Sequence, residues 1–501
     1  MSKSLANMLF PNINKAPEDY LKLYPPRKKP AFRIAPSPTG HLHIGTLAMA
    51  FVNRRLADAH DGIFYLRIED TDKKREMDGG VDLIVRGFEQ FGIKFDEGIH
   101  LGGKYAPYKQ SERVEIYHTF AKSLVERGRA FPCFCSAGDL DKSREEQTAN
   151  KETPGYRGKY AKCLSLDLKT IEENIKNGRE WCLRFRSDAK EGDRVKWHDQ
   201  IRGSMSLPAQ ENHFIIVKSD GIPPYNFAHV LDDTLMRTSH VVRGEEWLPS
   251  TAEHIQIQQA LFGDKPSWTY AHFPVIGVEE DGKRRKISKR KDAFALADFF
   301  QELGYPADAI KEYVLTLFNT DFEMWRIANP DKHFTEFEFR FEKIGKNSPL
   351  FDMHKLDHIS RNVIARMTNK EIQTAVKSFG INDERVLSAL AIDRETDKPR
   401  KDLTKFSEIP ELFGYLFKHA SVTLTDTEKT MTQKYLETYR QHPTREAWFT
   451  AIKELCTAQN FKVRDATQAI RKALTGRENT PDLYQIELIL GESEVKRRLL
   501  K

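Results

Sequence analysis

The chain is poor in several features that would place it quickly. Its 501 residues include five cysteines, Cys133, Cys135, Cys163, Cys182 and Cys456, too few for a disulfide framework in a protein long enough to bury more than one core. No apolar run approaches the ~18 residues needed to span a bilayer. The opening "MSKSLANMLFPNINKAPEDY" lacks the continuous hydrophobic stretch and small-residue cleavage site of a secretory signal. Together these absences predict a cytoplasmic protein with reduced thiols and no membrane partner. A tandem repeat at fixed period and a low-complexity tract are also missing, which takes support from solenoid and disordered-tail readings. Charge of one sign is scarce as well. Against 79 Lys and Arg stand 73 Asp and Glu, a formal +6, so bulk charge selects no partner.

What is present is local. In "RIAPSPTGHLHIGT", residues 33–46, two prolines, two glycines and two histidines sit between an apolar strand and an apolar helix. Phe32 and Ile34 alternate with Arg33, whereas Ile44, Leu47 and Phe51 recur at helical spacing and the pattern ends at Gly62. "GIFYLRIED", residues 62–70, then reads as a buried parallel strand. The unit is β-loop-α-β, and ligands of such sheets bind at the carboxyl ends of the strands. Gly40 and Gly45 let the backbone approach a ligand, the helix start near Ile44 offers free N–H groups, and His41 and His43 add donors, which suits a phosphate or nucleotide.

A second element strengthens this reading. Residues 281–292, "DGKRRKISKRKD", hold seven basic and two acidic side chains, and within them Lys286, Lys289 and Arg290 could close over a triphosphate and offset charge on a leaving pyrophosphate. For any single charge in such a run, a solvated loop is the commoner explanation. The remaining stretches set the organisation. Residues 1–30 end in "YPPRKKP" and read as a connecting arm. The β-α-β unit occupies 31–104, a polar region over 105–212 reads as an insertion, and "HFIIVKSDG" opens a return to strand and helix patterns over 213–262. There "HVVRGEEWLPSTAEHIQIQQALFG" is strand, turn and helix capped by Gly263. Beyond about 345 the pattern is helical: Trp448, Ile452 and Leu455 share one face, and Val463, Ile470 and Leu474 share another that ends at Gly476.

"HIGT" with "KISKR" resembles the paired signature of class I aminoacyl-tRNA synthetases. "RIAPSPTGHLHIGT", "RIEDTD", "VVRGEEW" and "KISKRKD", in that order, resemble the bacterial glutamyl-tRNA synthetase family, and the resemblance runs from about residue 32 to the C-terminus. Glutaminyl enzymes typically carry proline and glutamate where this chain has Ala35 and Ser37, and have β-barrels after the basic loop. The short glutamyl-Q-type paralogue lacks the helical tail that is present here. The implied fold is α/β: a class I Rossmann-type catalytic domain split by an insertion and followed by an all-α C-terminal region. On this template 1–30 is an N-terminal arm, 31–104 and 213–262 are the catalytic halves, and 105–212 is an inserted acceptor-binding domain. Residues 263–345 form a stem-contact domain carrying the KISKR loop, and 346–501 an anticodon-binding region.

The implied reaction joins L-glutamate to tRNA(Glu) through glutamyl-adenylate. It uses ATP with its Mg²⁺, needs no enzyme nucleophile, and in this family depends on bound tRNA for activation. His43 and Lys289 are the candidate catalytic groups, with His41, Gly45, Lys286, Arg290, Glu246 and Trp247 around ATP. For glutamate, a substrate with two carboxylates and an ammonium wants arginines, hydroxyls and one acid. Resemblance implies Arg33 and Tyr225 for the side-chain carboxylate, Glu69 for the ammonium and Arg243 for the other carboxylate, beside Ala35 and Ser37. The family is not uniform at His229, whose role stays open, and Arg67 and Asp70 read as buried structural ion pairs. Lys398, Arg400 and Lys401 in "DKPRKDLTKF" are candidate anticodon contacts. Cys133, Cys135, Tyr156 and Cys163 resemble the Zn²⁺ site of part of the family, with the departure that Tyr160 also intervenes before Cys163. Resemblance also implies a monomer. Charging of tRNA(Gln) as well, or an RNA-independent small-molecule adenylating activity, are the alternatives, and a catalytically inert tRNA-binding protein would have let the two loops decay.

Overall fold

The structure, a computed structural model, describes residues 2–264, 268–419 and 422–500. They form two compact bodies. One comprises Met1–Asp298 with Val314–Phe351, and the other Phe299–Tyr313 with Asp352–Lys501.

In the first body every residue of the strand Ala31–Ile34 is buried, because its apolar side chains and Arg33 lie in a parallel sheet covered on both faces. It pairs in parallel register with Ile63–Leu66, which pairs with Glu97–Gly98. The helix Ile44–Ala59 makes the crossover and buries Ile44, Leu47 and Phe51, the residues that set its period. A second sheet runs Gly203–Pro208, Arg194–Asp199, Thr269–Phe273, His240–Gly244. Thr269–Phe273 is parallel to both of its neighbours. The Ser239 N–H donates to the Ala31 carbonyl at 2.9 Å, so the edges of the two sheets meet. Arg33, Glu69 and Arg243 thereby arrive at the carboxyl ends of neighbouring strands.

The expected boundaries move in four places. The arm at 1–30 is not a bare connection: Ser2–Leu9 and Pro17–Leu23 are helices, and Ala6, Leu9, Tyr20 and Tyr24 join the main core. Ile215–Val217, expected to resume the catalytic sheet, pairs antiparallel with Cys182–Phe185 in a separate sheet completed by Ala130–Cys133. Conversely, the hairpin Arg194–Pro208, expected in the insertion, extends the catalytic sheet through Asp199 beside Tyr270. Strand partners are non-local, so sequence order does not reveal them. Finally, the 263–345 segment is divided: the hairpin Gly277–Glu280 with Lys283–Lys286 stays in the first body, while Phe299–Tyr313 belongs to the second.

The second body is helical, with no strand among its described residues. Arg445–Ala458 buries Trp448 and Ile452, and Val463–Thr475 buries Ile470 and Leu474. Gly476 follows with φ +70°, the left-handed conformation that stops a helix at least cost in glycine.

Candidate active site

Three strand ends and the basic hairpin enclose a cavity of about 1380 Å³, lined by Arg33, Ala35, Ser37, His43, Gly45, Glu69, Tyr225, Arg243, Glu246, Trp247 and Lys286. Eleven residues expected from the sequence therefore face one space. The cavity continues past Lys218 and Trp181 to Cys133 and Cys135.

At the helix start, His43 is the N-cap: its Nδ1 accepts from the Gly45 N–H at 2.9 Å. A Cβ on Gly45 would lie 3.0 Å from that nitrogen, so glycine keeps the turn open. Burial, and then the neighbouring charges of Lys289 and Lys286, push the His43 pKa down to about 4. The imidazole is thus neutral at pH 7, with Nδ1 an acceptor and Nε2 left as the donor. His41 is half exposed and pairs with Asp298.

In the hairpin, Lys286 Nζ lies 2.9 Å from Glu246 Oε1. Lys289 and Arg290 do not line the cavity. Lys289 Nζ donates to the His41 carbonyl, outside its rim. Arg285 instead braces the loop through Asp292 (2.7 and 2.8 Å). Trp247 is 36% exposed and packs 4.3 Å from the Tyr225 ring, which leaves an aromatic surface toward solvent.

The arginines separate by their partners. Arg33 Nη2 donates to Asp233 Oδ2 at 3.0 Å, and Arg67 Nη1 to Asp233 Oδ1 at 2.7 Å. Arg67 also reaches Glu69 at 2.9 Å, the buried ion pair expected of it. Asp70 takes the Ser111 N–H and Lys109. Glu69 is pushed up to about 7, by burial first and against the pull of Arg67 and Arg33. Among the described residues Arg243 has only neutral partners: His272, His229, His254, Thr251 and Tyr225. His229 lies behind the pocket wall, fully buried, stacked on Tyr225 at 5.3 Å with Nδ1 2.7 Å from Asp233.

Sequence reasoning missed Asp233, His254, His272 and Asp199, none of which faces the cavity. One signal was legible: "DD" at 232–233 sits in an apolar helical run, where an unpaired acid would be costly.

In the insertion, the Sγ atoms of Cys133, Cys135 and Cys163 all lie within 4.8 Å of one another. Tyr156 Oη is 3.2 Å from Cys133 Sγ and 3.4 Å from Cys135 Sγ. The Cys135–Cys163 separation of 3.6 Å is close to the ~3.8 Å that tetrahedral Zn–S bonds of ~2.3 Å impose. Tyr160 takes no part in the cluster's contacts and reaches Asn150 at 3.5 Å.

In the second body, Lys398 and Lys401 are exposed. Arg400 is not: its Nη1 donates to the carbonyls of Ala389 and Ile392 at 3.0 and 3.3 Å, and Asp402 takes its Nε. The Nη1 donor of Arg400 is thus engaged by helix-end carbonyls that needed one.

This geometry defines a class I synthetase. Residues 31–358 match the family model for class I tRNA synthetases (E and Q), catalytic domain, and residues 382–501 match an anticodon binding domain. The chain belongs to that family, and within it to the glutamate–tRNA ligases. It is 39% identical to the glutamate–tRNA ligase of Clostridium perfringens (strain SM101 / Type A) across 100% of this chain and 99% of the relative. With that of Acetivibrio thermocellus it shares 37% over 99% of each. The crystal structure of a glutamate tRNA ligase from Elizabethkingia meningosepticum, in complex with its amino acid, superimposes with a TM-score of 0.79 at 26% identity, over 94% of this chain and 99% of that one.

Proposed function

We propose that the chain activates L-glutamate with ATP and transfers it to tRNA(Glu), and that the cavity above is where both steps occur. The observation that carries this is a buried arginine with no carboxylate partner among the described residues, Arg243, beside Tyr225 in the same hollow as the His43 turn. A dicarboxylate substrate supplies the missing charge. On this geometry Arg243 and Tyr225 take the side-chain carboxylate, a change from the expected assignment, because Asp233 already neutralises Arg33. Arg33 then contributes N–H groups, Glu69 takes the ammonium, and Ala35 and Ser37 leave room.

An oxygen of the α-carboxylate attacks the ATP α-phosphorus, the bond to pyrophosphate breaks, and a ribose hydroxyl of the terminal adenosine later displaces AMP from the carbonyl. The chain supplies position and charge. His43 Nε2 donates toward the phosphates, Lys286 and Lys289 approach them as the hairpin closes, and Trp247 and Glu246 hold the nucleoside. Mg²⁺ arrives with ATP. Lys398 and Lys401 contact the anticodon stem-loop through its phosphates.

Cys133, Cys135, Cys163 and Tyr156 hold one Zn²⁺, whose contribution is to fix the knuckle beside the acceptor end of the cavity. Hydrogen bonds from Cys163 and Cys182 push the Cys133 thiol down, while Cys133 in turn pushes Cys163 up, so in the metal-free cluster one thiolate is shared among the sulfurs.

ATP–pyrophosphate exchange with glutamate tests the reading. Exchange that appears only with tRNA(Glu) supports it; exchange of equal rate without RNA favours a small-molecule adenylating enzyme. Addition of tRNA(Gln) in place of tRNA(Glu) shows whether both are charged.

A further inference from the structure

Arg243 lies on the strand His240–Gly244, directly beside His272 of Thr269–Phe273 in parallel register. Its Nε donates to His272 Nε2 at 3.0 Å. One Nη approaches His229 Nε2 at 3.3 Å, and both lie 3.3 Å from His254 Nδ1. A guanidinium can only donate. Each imidazole must therefore turn a lone pair toward it, which requires the proton on the opposite nitrogen.

The opposite nitrogens of His272 and His254 are hydrogen-bonded to acceptors, and that of His229 lies near a carboxylate without hydrogen-bond geometry. His272 Nδ1 is 2.6 Å from Asp199 Oδ2, His254 Nε2 is 2.9 Å from Asn226 Oδ1, and His229 Nδ1 is 2.7 Å from Asp233 Oδ2. Asp199 is itself fixed by the backbone N–H groups of Ile201, Arg202 and His272. All three rings are fully buried, and burial lowers the pKa of each. They are neutral rings that accept from Arg243 and, among the described residues, keep every carboxylate out of direct contact with its charge.

We propose that His272, oriented by Asp199, together with His254 and His229 forms an imidazole cage that positions Arg243 as an uncompensated cation, and so makes the pocket select a carboxylate over an amide. A carboxylate in the cage would orient the arginine equally well and would cancel the charge that draws the substrate. Lone pairs orient without cancelling. These are positioning residues, since none of the three rings lines the cavity. The proposal rests on the assignment of Arg243 to the substrate carboxylate.

Steady-state aminoacylation with tRNA(Glu) tests it, with KM for glutamate and for ATP measured separately. Asp199→Asn presents an amide N–H to His272 Nδ1, drives the ring proton to Nε2 and sets N–H against N–H at Arg243. It is expected to raise the glutamate KM by about tenfold or more, the loss of one charge-assisted hydrogen bond, with the ATP KM unchanged. His272→Phe should do the same, and His272→Gln, whose amide oxygen can accept from Nε, should fall closer to the parent. Preference for glutamate over glutamine should narrow in step. If Arg243→Ala raises the glutamate KM while Asp199→Asn and His272→Phe do not, the cage is overturned and the pocket assignment stands. If Arg243→Ala has no effect, the pocket assignment fails first. Equal rises in both KM values would reduce the histidines to fold-holding groups and also overturn the proposal. Should His272→Phe not fold, Asp199→Asn and His272→Gln decide it.

Discussion

Lys289 Nζ donates to the backbone carbonyl of His41, across 248 residues of sequence. The contact joins the two phosphate-handling loops at one point. It also leaves the lysine on an uncharged oxygen, an easily exchanged partner for a cation that a triphosphate would attract more strongly.

Lys289→Ala is expected to lower single-turnover glutamyl-adenylate formation by roughly 10²–10³ while tRNA binding stays near normal. Arg284→Ala, exposed in the same basic run, should alter neither. Filter binding beside quench-flow separates the two. Mild, equal defects in both variants would leave the run as a general RNA contact.

Asp233 accepts from Arg33 and Arg67 in a fully buried setting. Its replacement by Ala strands the Arg33 guanidinium, takes one of the carboxylates from Arg67, and should cost about 3–5 kcal/mol of stability. A urea midpoint that shifts no more than that of an exposed helical control such as Glu145→Ala would show that the ion cluster contributes little.

Glu69 is pushed up to about 7. An acid with a raised pKa takes up its proton as pH falls through 7 and then no longer offers a charge to the ammonium. The kcat/KM for glutamate should therefore decline on the acid side with a midpoint near 7, and the limb should vanish in Glu69→Gln. A profile that is flat from pH 6 to 8 in the parent would exclude this role.

Zinc analysis of protein never exposed to chelator should find about one ion per chain, and Cys135→Ser should lose it. Unchanged zinc stoichiometry in Tyr156→Phe would show that the fourth ligand is not the phenol.

Glu487 is buried in the helical body, where Tyr435 Oη and Trp448 Nε1 lie 2.9 and 3.1 Å from its carboxylate. Burial raises its pKa to about 8. The folded state binds more protons than the unfolded between about 4.5 and 8, so stability falls as pH rises through that window. Glu487→Gln should accordingly gain on the parent by about 1–3 kcal/mol between pH 6 and 9. Urea midpoints at the two pH values check it, and a gap that does not widen counts against the buried charge.

Signals carried by neighbouring residues were readable from the chain alone. The turn at 33–46 with its glycines, the helix begun at Ile44, the stop at Gly476 and the ion pair of Arg67 all follow from spacing, side-chain type and the cost of burying charge. Most of the cavity lining was legible for the same reason, since functional groups at strand ends occur in short marked stretches. Pairing was not. Nothing in "RVKWHD" or "HFIIVKSDG" says that the first joins the catalytic sheet and the second the insertion, because a strand's partner is chosen by distant segments competing for its edge. Arg33 and Arg243 look alike in sequence, and the arrival of Asp233 at one and three imidazoles at the other makes the first neutralised and the second bare. Charge compensation in a low-dielectric interior depends on distances of a few ångströms between residues up to 200 positions apart, which folding sets and local pattern does not contain.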